Sequence, residues 1–561
     1  MNKKILPVTP TQAASFTFYL CEKPSQIPSL AQALGATRQA DGTYAATGVV
    51  ISSASGHLLK LAIPEAYIGK GSWRMADLPI VPSTWIWQVS NRHHERLAKI
   101  GAYLKMADAV VIATDPDEEG EVIGRQILHA LDYTGTVSRL WVSALNPVAL
   151  SNSLQNLRPL SATDAYYHAG RVRHELDWLF GMNLSRAFSL RFDETIRIGR
   201  VKTCLLNELV KRDSEIADFK PVFHHTAHVV VGDARLEWQP RSNSLCDDAD
   251  LLALSQTTHG TCLCTEFYTE ALPPPLPYTL SALLADASDM GISLQNGYKA
   301  AQQLYECGAI SYPRTSSTTM PAAGIAEFAA HHAIINTMEW CPAWLSEDAK
   351  QIFRLVELNG LMQMMGPATL KVRRLVFNFG GEIFSASDRW VEDANAAWMN
   401  FCLRNSYLTF VNNLKKSSFC LAENVQAAVQ VVRKQTLPPE HFTEASLLRM
   451  MAQSGIGTEA TRVETIGRLV TDEVAEFVAQ SEYSSNNGTQ SRAIRSTQSG
   501  RDLIHKLPYA VTGPAMEDRL QQALSAVRNG QADTSSHLLD ASEWITFTIH
   551  KLIHNPIPFH F

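Results

Sequence analysis

At 561 residues the chain is too long for one hydrophobic core, and a prior of about 150 residues per domain gives three or four. Its 45% apolar and 19% charged residues exclude a disordered or fibrous protein, and no run approaches the roughly 18–20 apolar residues of a membrane span. A net charge of −6 argues against a general nucleic-acid binder, although it leaves room for a local basic groove.

The start, MNKKILPVTPTQAAS, has lysines but no apolar stretch after them, so no secretory signal is read and a cytoplasmic location is expected. Phe16–Leu20 then reads as a strand, followed by Glu22-Lys23-Pro24-Ser25 and a helix through Leu34. Ala109–Ala113 is a short buried strand, and after Asp115–Gly120 a helix is expected from about Glu121. Val137–Val142 repeats the theme, with Asn146 as helix cap and Pro147 in the first turn. Such βαβ alternation implies a mostly parallel sheet covered by helices.

From about residue 156 to 218 the pattern is helical, with Leu176, Leu179 and Phe180 on one apolar face. This stretch carries the basic run from Arg171 to Arg212, whose plain alternative is a solvated helix face. Residues 223–270 look like short strands with polar turns, and Pro273, Pro274, Pro275 and Pro277 read as an extended hinge. Helices resume at Thr279, and a second β-like stretch covers Val372–Phe384 and Trp398–Phe410. Helices return from Thr443, and Tyr483–Ser499, with its Asn487-Gly488 turn, looks like an exposed hairpin. This order suggests interleaved domains: 1–155; 156–220 with 437–561; 221–280 with 368–436; and 281–367. Such an arrangement is able to enclose a hole. The nine cysteines include no C-x-x-C pair, so free thiols are expected rather than a zinc ribbon.

Asp115, Asp117 and Glu119 leave the carboxyl end of one buried strand, and Glu22 leaves the end of another, the edge where α/β sheets bind ligands. Spaced by two in an extended turn, their carboxylates would point the same way and repel unless a hard cation sat between them. Mg2+, an oxygen-liganded ion with a liking for phosphate, is the natural choice. Alone, such a motif is as often an exposed acidic turn. Glu22-Lys23 at a comparable strand end favours the metal.

Glu22-Lys23-Pro24-Ser25 with Asp115-Pro116-Asp117-x-Glu119-Gly120 resembles the Toprim domain of type IA DNA topoisomerases, as does Gly56-His57-Leu58-Leu59. Ile310-Ser311-Tyr312-Pro313-Arg314-Thr315 resembles that family's nucleophile motif, although a lone Tyr-x-Arg would be a strand-edge tyrosine beside a solvated arginine. A phenolate suits reversible cleavage because the phosphotyrosine keeps the bond energy for rejoining. Arg314 can clamp phosphate charge.

The likeness continues through Arg173 and the following Asp177-Trp178-Leu179-Phe180-Gly181, then Gly199-Arg200-Val201-Lys202-Thr203. It extends to His331-His332-Ala333-Ile334 and to Gly455-Ile456-Gly457-Thr458-Glu459, covering about residues 16–530, with the topoisomerase III branch closer. It implies a multidomain α/β fold with an N-terminal Toprim domain and interleaved helical and β domains forming a toroid.

It also implies catalytic roles for Tyr312, Arg314, Glu22, Lys23 and His331, and Mg2+ on Glu22, Asp115, Asp117 and Glu119. DNA contacts would come from Arg173, Arg200, Lys202 and Thr458, the last capping a helix that holds a phosphate. The expected substrate is single-stranded regions of negatively supercoiled or catenated DNA, and the acting unit a monomer. No G-x-x-x-x-G-K-[ST] loop is present, which fits an ATP-independent reaction without a nucleotide cofactor. A Toprim nuclease and a weakened single-stranded-DNA-binding protein are the alternatives.

Several positions depart from the family pattern. Glu118 stands where arginine is usual, Ser316 where an acid is usual, Lys202 for glutamine, and Cys204 and Asn336 for prolines. Cysteine-rich ribbons at the end are also missing, so weak, salt-sensitive binding by the core alone is expected.

Overall fold

The computed structural model describes residues 15–240, 248–321, 332–338, 341–391, 398, 423–478, 492–530 and 534–554. They fall in two compact units: Met1–Asp213, Tyr278–Val356 and His441–Phe561 form the first, and Ser214–Pro277 with Glu357–Glu440 the second.

The first unit opens with a seven-stranded sheet. Its strands are β1 (Thr17–Cys21), β2 (Thr37–Arg38), β3 (Tyr44–Ala46), β4 (Val49–Ser53), β5 (Ala109–Ala113), β6 (Thr136–Arg139) and β7 (Arg158–Pro159), in the order β2-β3-β4-β1-β5-β6-β7. The middle four run parallel, as the βαβ alternation predicts, and short antiparallel strands close both edges. Apolar runs such as Val110-Val111-Ile112 suit strands covered on both faces. Phe18, Leu20, Val110 and Ile112 share a core with α2 (His94–Leu104) and α3 (Glu118–Ala130), and α1 (Ile27–Ala33) packs on β4 and α4 (Pro147–Gln155). Asn146 caps α4 by accepting from Ala149 N, with Pro147 in the first turn.

The expected strand through Val142 ends at Arg139 because its partner β5 ends at Ala113; Leu140 N to Ile112 O, 2.9 Å, is the last rung. The helix expected from Glu121 begins at Glu118 instead. Asp117 is extended, at φ −141° and ψ 178°, and its side chain accepts from Gly120 N. Any side chain at 120 would put its Cβ 2.1 Å from the Asp115 carbonyl oxygen, so only glycine lets the helix start this close to the strand.

The helices α5 (Asp164–Phe192) and α6 (Arg200–Ala217) follow. Leu176, Leu179 and Phe180 of α5 lie in a core with Leu520, Leu524, Ile545 and Ile549, which come from α11 (Ala515–Arg528) and α12 (Thr534–His554). In chain order, α7 (Leu280–Asp289), α8 (Leu294–Glu306), α9 (Glu444–Gln453) and α10 (Arg462–Thr471) come after α6 and before α11. Thr279 and Thr443 cap α7 and α9.

The second unit is built on a seven-stranded antiparallel sheet of β8 (Phe223–Val231), β9 (Ala234–Trp238), β10 (His259–Leu272), β11 (Ala368–Phe379), β12 (Glu382–Val391), β13 (Asn424–Gln426) and β14 (Val429–Gln435). Phe377, Phe379, Phe384, Val229 and Leu236 form its core. The described part of residues 223–270 is thus less fragmented than its polar spacing predicts: besides β8 and β9 it holds one helix, Asp248–Ser255, and one fourteen-residue strand, β10, which pairs along β11. Trp398–Phe410 falls almost wholly outside the described residues, as does the Asn487-Gly488 turn. The strands flanking that turn, Ala475–Val478 and Ala493–Ser496, pair antiparallel.

Candidate active site

The site is built where β1 and β5 end. Cys21 leads directly into Glu22, and Ala113 leads through Thr114 into Asp115, so two carboxylates arrive side by side, 3% and 1% exposed. The Asp115 amide donates to Glu22 Oε2 at 3.4 Å. Lys23 Nζ lies 3.1 Å from Asp115 Oδ2 and 3.5 Å from Glu22 Oε1. Gln26 joins the group from the following turn: its amide donates to Asp115 while its Oε1 accepts from the Glu22 and Lys23 amides.

Burial, and then the charge of Asp115, push Glu22 up to about 8 against the pull of Lys23 and Arg314. Burial also opposes ionisation of Asp115, yet Lys23 and Arg314 hold its carboxyl below the usual range.

Beneath the strand end lies Arg139, fully buried. Its guanidinium donates to the carbonyls of Ile112, Thr114 and Asp115 and pairs with buried Glu121. Nothing local in the sequence marks Arg139 or Gln26, because their partners lie on other elements.

Tyr312 reaches this edge from another part of the same unit. Its amide donates to Ser143 O at 2.7 Å, which ties the segment to the loop after β6. Gly308 makes the approach possible: at φ +75°, a Cβ there would stand 2.9 Å from Leu145 O. The phenol, 3% exposed, donates to Asp117 Oδ2 at 2.5 Å and packs edge-on against Tyr305. Burial, with Asp117 alongside, holds the phenol well above its ordinary pKa. Arg314 Nη1 stands 3.8 Å from Asp115 Oδ2 and 3.7 Å from Asp117 Oδ2, while its Nε donates to Tyr298 Oη at 2.9 Å. Glu22, Lys23, Asp115, Asp117, Tyr312 and Arg314 are therefore one cluster.

Glu119 belongs elsewhere. With the helix starting at Glu118, no extended turn forms across Asp115–Glu119, and Glu119 turns to His57 and His174 instead. Burial opposes its charge, but the two imidazoles hold its carboxyl well below the usual range. Glu118 turns the other way and accepts from Arg173 and Arg528, so its charge is compensated rather than added to the acids.

A cavity of about 1000 Å3 runs past these groups, lined by Glu22, Asp117, Arg173, Arg314, Thr458 and Arg528 among others. Thr458 is not a helix cap. Thr461 occupies the N-cap position of α10, and Thr458 sits a turn earlier, its amide donating to Thr461 Oγ1. Arg200 is buried and committed to Asp177 and Glu517, and Lys202 pairs with Asp472. His331 lies outside the described residues; its neighbour His332 is buried.

The all-oxygen donors Glu22, Asp115 and Asp117 fit a hard divalent cation, and the charge of Asp115, added to burial in raising Glu22, is a repulsion that such an ion relieves. Their ligand atoms do not all come within 4.8 Å of one another.

A family model described as DNA topoisomerase matches residues 161–329 and 323–538, and one described as Toprim domain matches residues 17–145. DNA topoisomerase 3 of Vibrio cholerae is 28% identical, over 92% of this chain and 91% of that protein. DNA topoisomerase 3 of Bacillus subtilis is 26% identical, over 96% and 82% respectively. The solved structure of full-length topoisomerase I from Thermotoga maritima superposes with a TM-score of 0.77 at 20% identity, over 96% of this chain and 91% of that one, which shows a shared fold.

Proposed function

The chain belongs to the DNA topoisomerase family and carries a Toprim domain, and from that premise we propose how its residues divide the work. It is a type IA enzyme: an ATP-independent isomerase that cuts one DNA strand, passes another and reseals the first. The Toprim domain binds a divalent metal, which we take to be Mg2+.

Tyr312 is the nucleophile. Its oxygen attacks a phosphodiester, the bond to the 3′ oxygen breaks, and a 5′-phosphotyrosine and a 3′-hydroxyl result. The observation that carries this reading is the 2.5 Å hydrogen bond from the phenol to Asp117, with Arg314 beside the same carboxylate. Asp117 is then placed to accept the phenolic proton. Arg314 and Lys23 stabilise charge on the phosphoryl group in flight. Glu22, raised to about 8, holds a proton at neutral pH and can deliver it to the departing 3′ oxygen.

Asp115 and Asp117, with Glu22 once ionised, would hold the metal, which supplies charge neutralisation and alignment of the broken end. Glu119, engaged by two imidazoles, serves that set less directly. Arg173 and Thr458, both on the cavity wall, are the DNA contacts this reading favours. Lys202 reaches DNA only by releasing Asp472, and Arg200 acts by positioning Asp177 and Glu517. His331 is the residue that the motif assigns to the scissile phosphate. The reading extends to single-stranded regions of negatively supercoiled or catenated DNA as substrate, a monomer as the acting unit and the cytoplasm as the compartment.

The test is incubation with negatively supercoiled plasmid and Mg2+, denaturation, and mapping of the covalent adduct. Attachment at Tyr312, with loss of relaxation in Tyr312→Phe, is expected. Nicking that persists in Tyr312→Phe would point to a nuclease instead.

A further inference from the structure

Apart from the acids around Tyr312, three ligand atoms converge at α3's first turn. His57 Nε2 makes a close contact with Glu119 Oε1, and His174 Nε2 lies 3.3 Å from Glu119 Oε2. One donor atom from each residue falls within 4.8 Å of the other two. His174 Nε2 is buried, yet it stands off the line of a hydrogen bond to the carboxylate.

Three separate elements bring the residues together. His57 follows Gly56, which turns the chain after β4 at φ +91°; Glu119 is in the first turn of α3; His174 is midway along α5. The imidazoles meet edge-on at 5.5 Å, and Trp87 packs against His174 at 5.7 Å, so neither ring turns freely. All three residues line the cavity, which leaves one side of the group open.

Two imidazoles and a carboxylate form the donor set of zinc and its neighbours, whereas magnesium prefers oxygen alone. With metal–ligand bonds of about 2.1 Å, ligand atoms around a tetrahedral ion stand roughly 3.4 Å apart. The 3.3 Å between His174 and Glu119 matches that spacing. We propose that His57, Glu119 and His174 form a binding site for a borderline transition-metal ion such as Zn2+, separate from the hard-cation set on Asp115 and Asp117.

The full chain, stripped with chelator, loaded with Zn2+ and then passed into excess Mg2+, is expected to retain one equivalent of Zn2+ through gel filtration, measured by elemental analysis. With Co2+ as probe it shows the visible d–d bands of a four-coordinate site. His57→Ala and His174→Ala each weaken Zn2+ binding at least tenfold, while Asp115→Asn and Asp117→Asn leave it unchanged.

No retained Zn2+, or its displacement by excess Mg2+, overturns the proposal. So does retention in both histidine variants, or loss confined to the aspartate variants. Circular dichroism checks that each variant folds, and the wild-type uptake and Mg2+ competition stand without the variants. Failure here leaves the Tyr312 adduct untouched, so it is distinguishable from failure of the proposed reaction.

Discussion

Glu118 occupies a position where the family pattern has arginine, and its carboxylate accepts from Arg173 and Arg528 on the cavity wall. A carboxylate held by two guanidiniums resembles a bound phosphate, so it competes with DNA for them. Glu118→Gln should tighten single-stranded DNA binding severalfold. It should also steepen the salt dependence by about 0.7 in log–log slope for each further phosphate that the freed guanidiniums neutralise. Anisotropy titrations at several salt concentrations measure both, and an unchanged slope would count against the competition.

Glu22 gives a prediction with a definite sign. Its carboxyl rises from 4.5 to about 8 in the folded protein, so between those values the native state keeps a proton that the unfolded chain releases. That contribution to stability is whole below about 4.5 and is lost as pH rises through about 8. In chelator, Glu22→Gln should therefore lose less thermal stability than the wild type between pH 5 and 8; parallel melting curves would refute the shift.

The residues of the cluster are legible in the sequence because each belongs to a short motif: Glu22-Lys23, Asp115-x-Asp117, Tyr312-x-Arg314. Gln26, Arg139 and Tyr298 are not, since each acquires its role from a partner on another element.

At the level of elements, the start of α3 does two jobs through one side chain. Asp117 caps the helix with one oxygen and receives the Tyr312 phenol on the other. Asn caps nearly as well as Asp, whereas Ala does not cap. Asp117→Asn should therefore keep stability within a few tenths of a kcal/mol, and Asp117→Ala should cost about 1 kcal/mol more. Both should slow adduct formation. Denaturant titration beside an adduct assay separates the cap from the chemistry.

Helix caps at Asn146, Thr279 and Thr443 are readable because a capping side chain bonds within three residues. The start of α3 lies three residues ahead of its expected place because an acidic stretch looks like a turn until a glycine-sized gap beside Asp115 O admits the helix. Thr458 loses the capping role expected of it because the later Thr461 in the same segment takes the N-cap position.

Across the whole molecule, two chain segments on either side of an insertion build one antiparallel sheet in the second unit, pairing Phe223 with Gln435 and Gly260 with Phe379. Each strand is visible by its β-branched and aromatic content, but pairing over such separations has no local signal. Because that sheet has its own core, Phe377→Ala should cost about 3–5 kcal/mol there. In scanning calorimetry it should lower one unfolding transition and leave another in place; a single transition shifting as a whole would show that the two units unfold together.

In the first unit, Tyr312 is sealed: its phenol is 3% exposed and its amide is tied to Ser143. Reagents that iodinate or nitrate phenols can modify it only after that seal parts. The labelling rate at this one ring therefore becomes a clock for the opening motion in protein alone, readable by mass spectrometry before any nucleic acid is added.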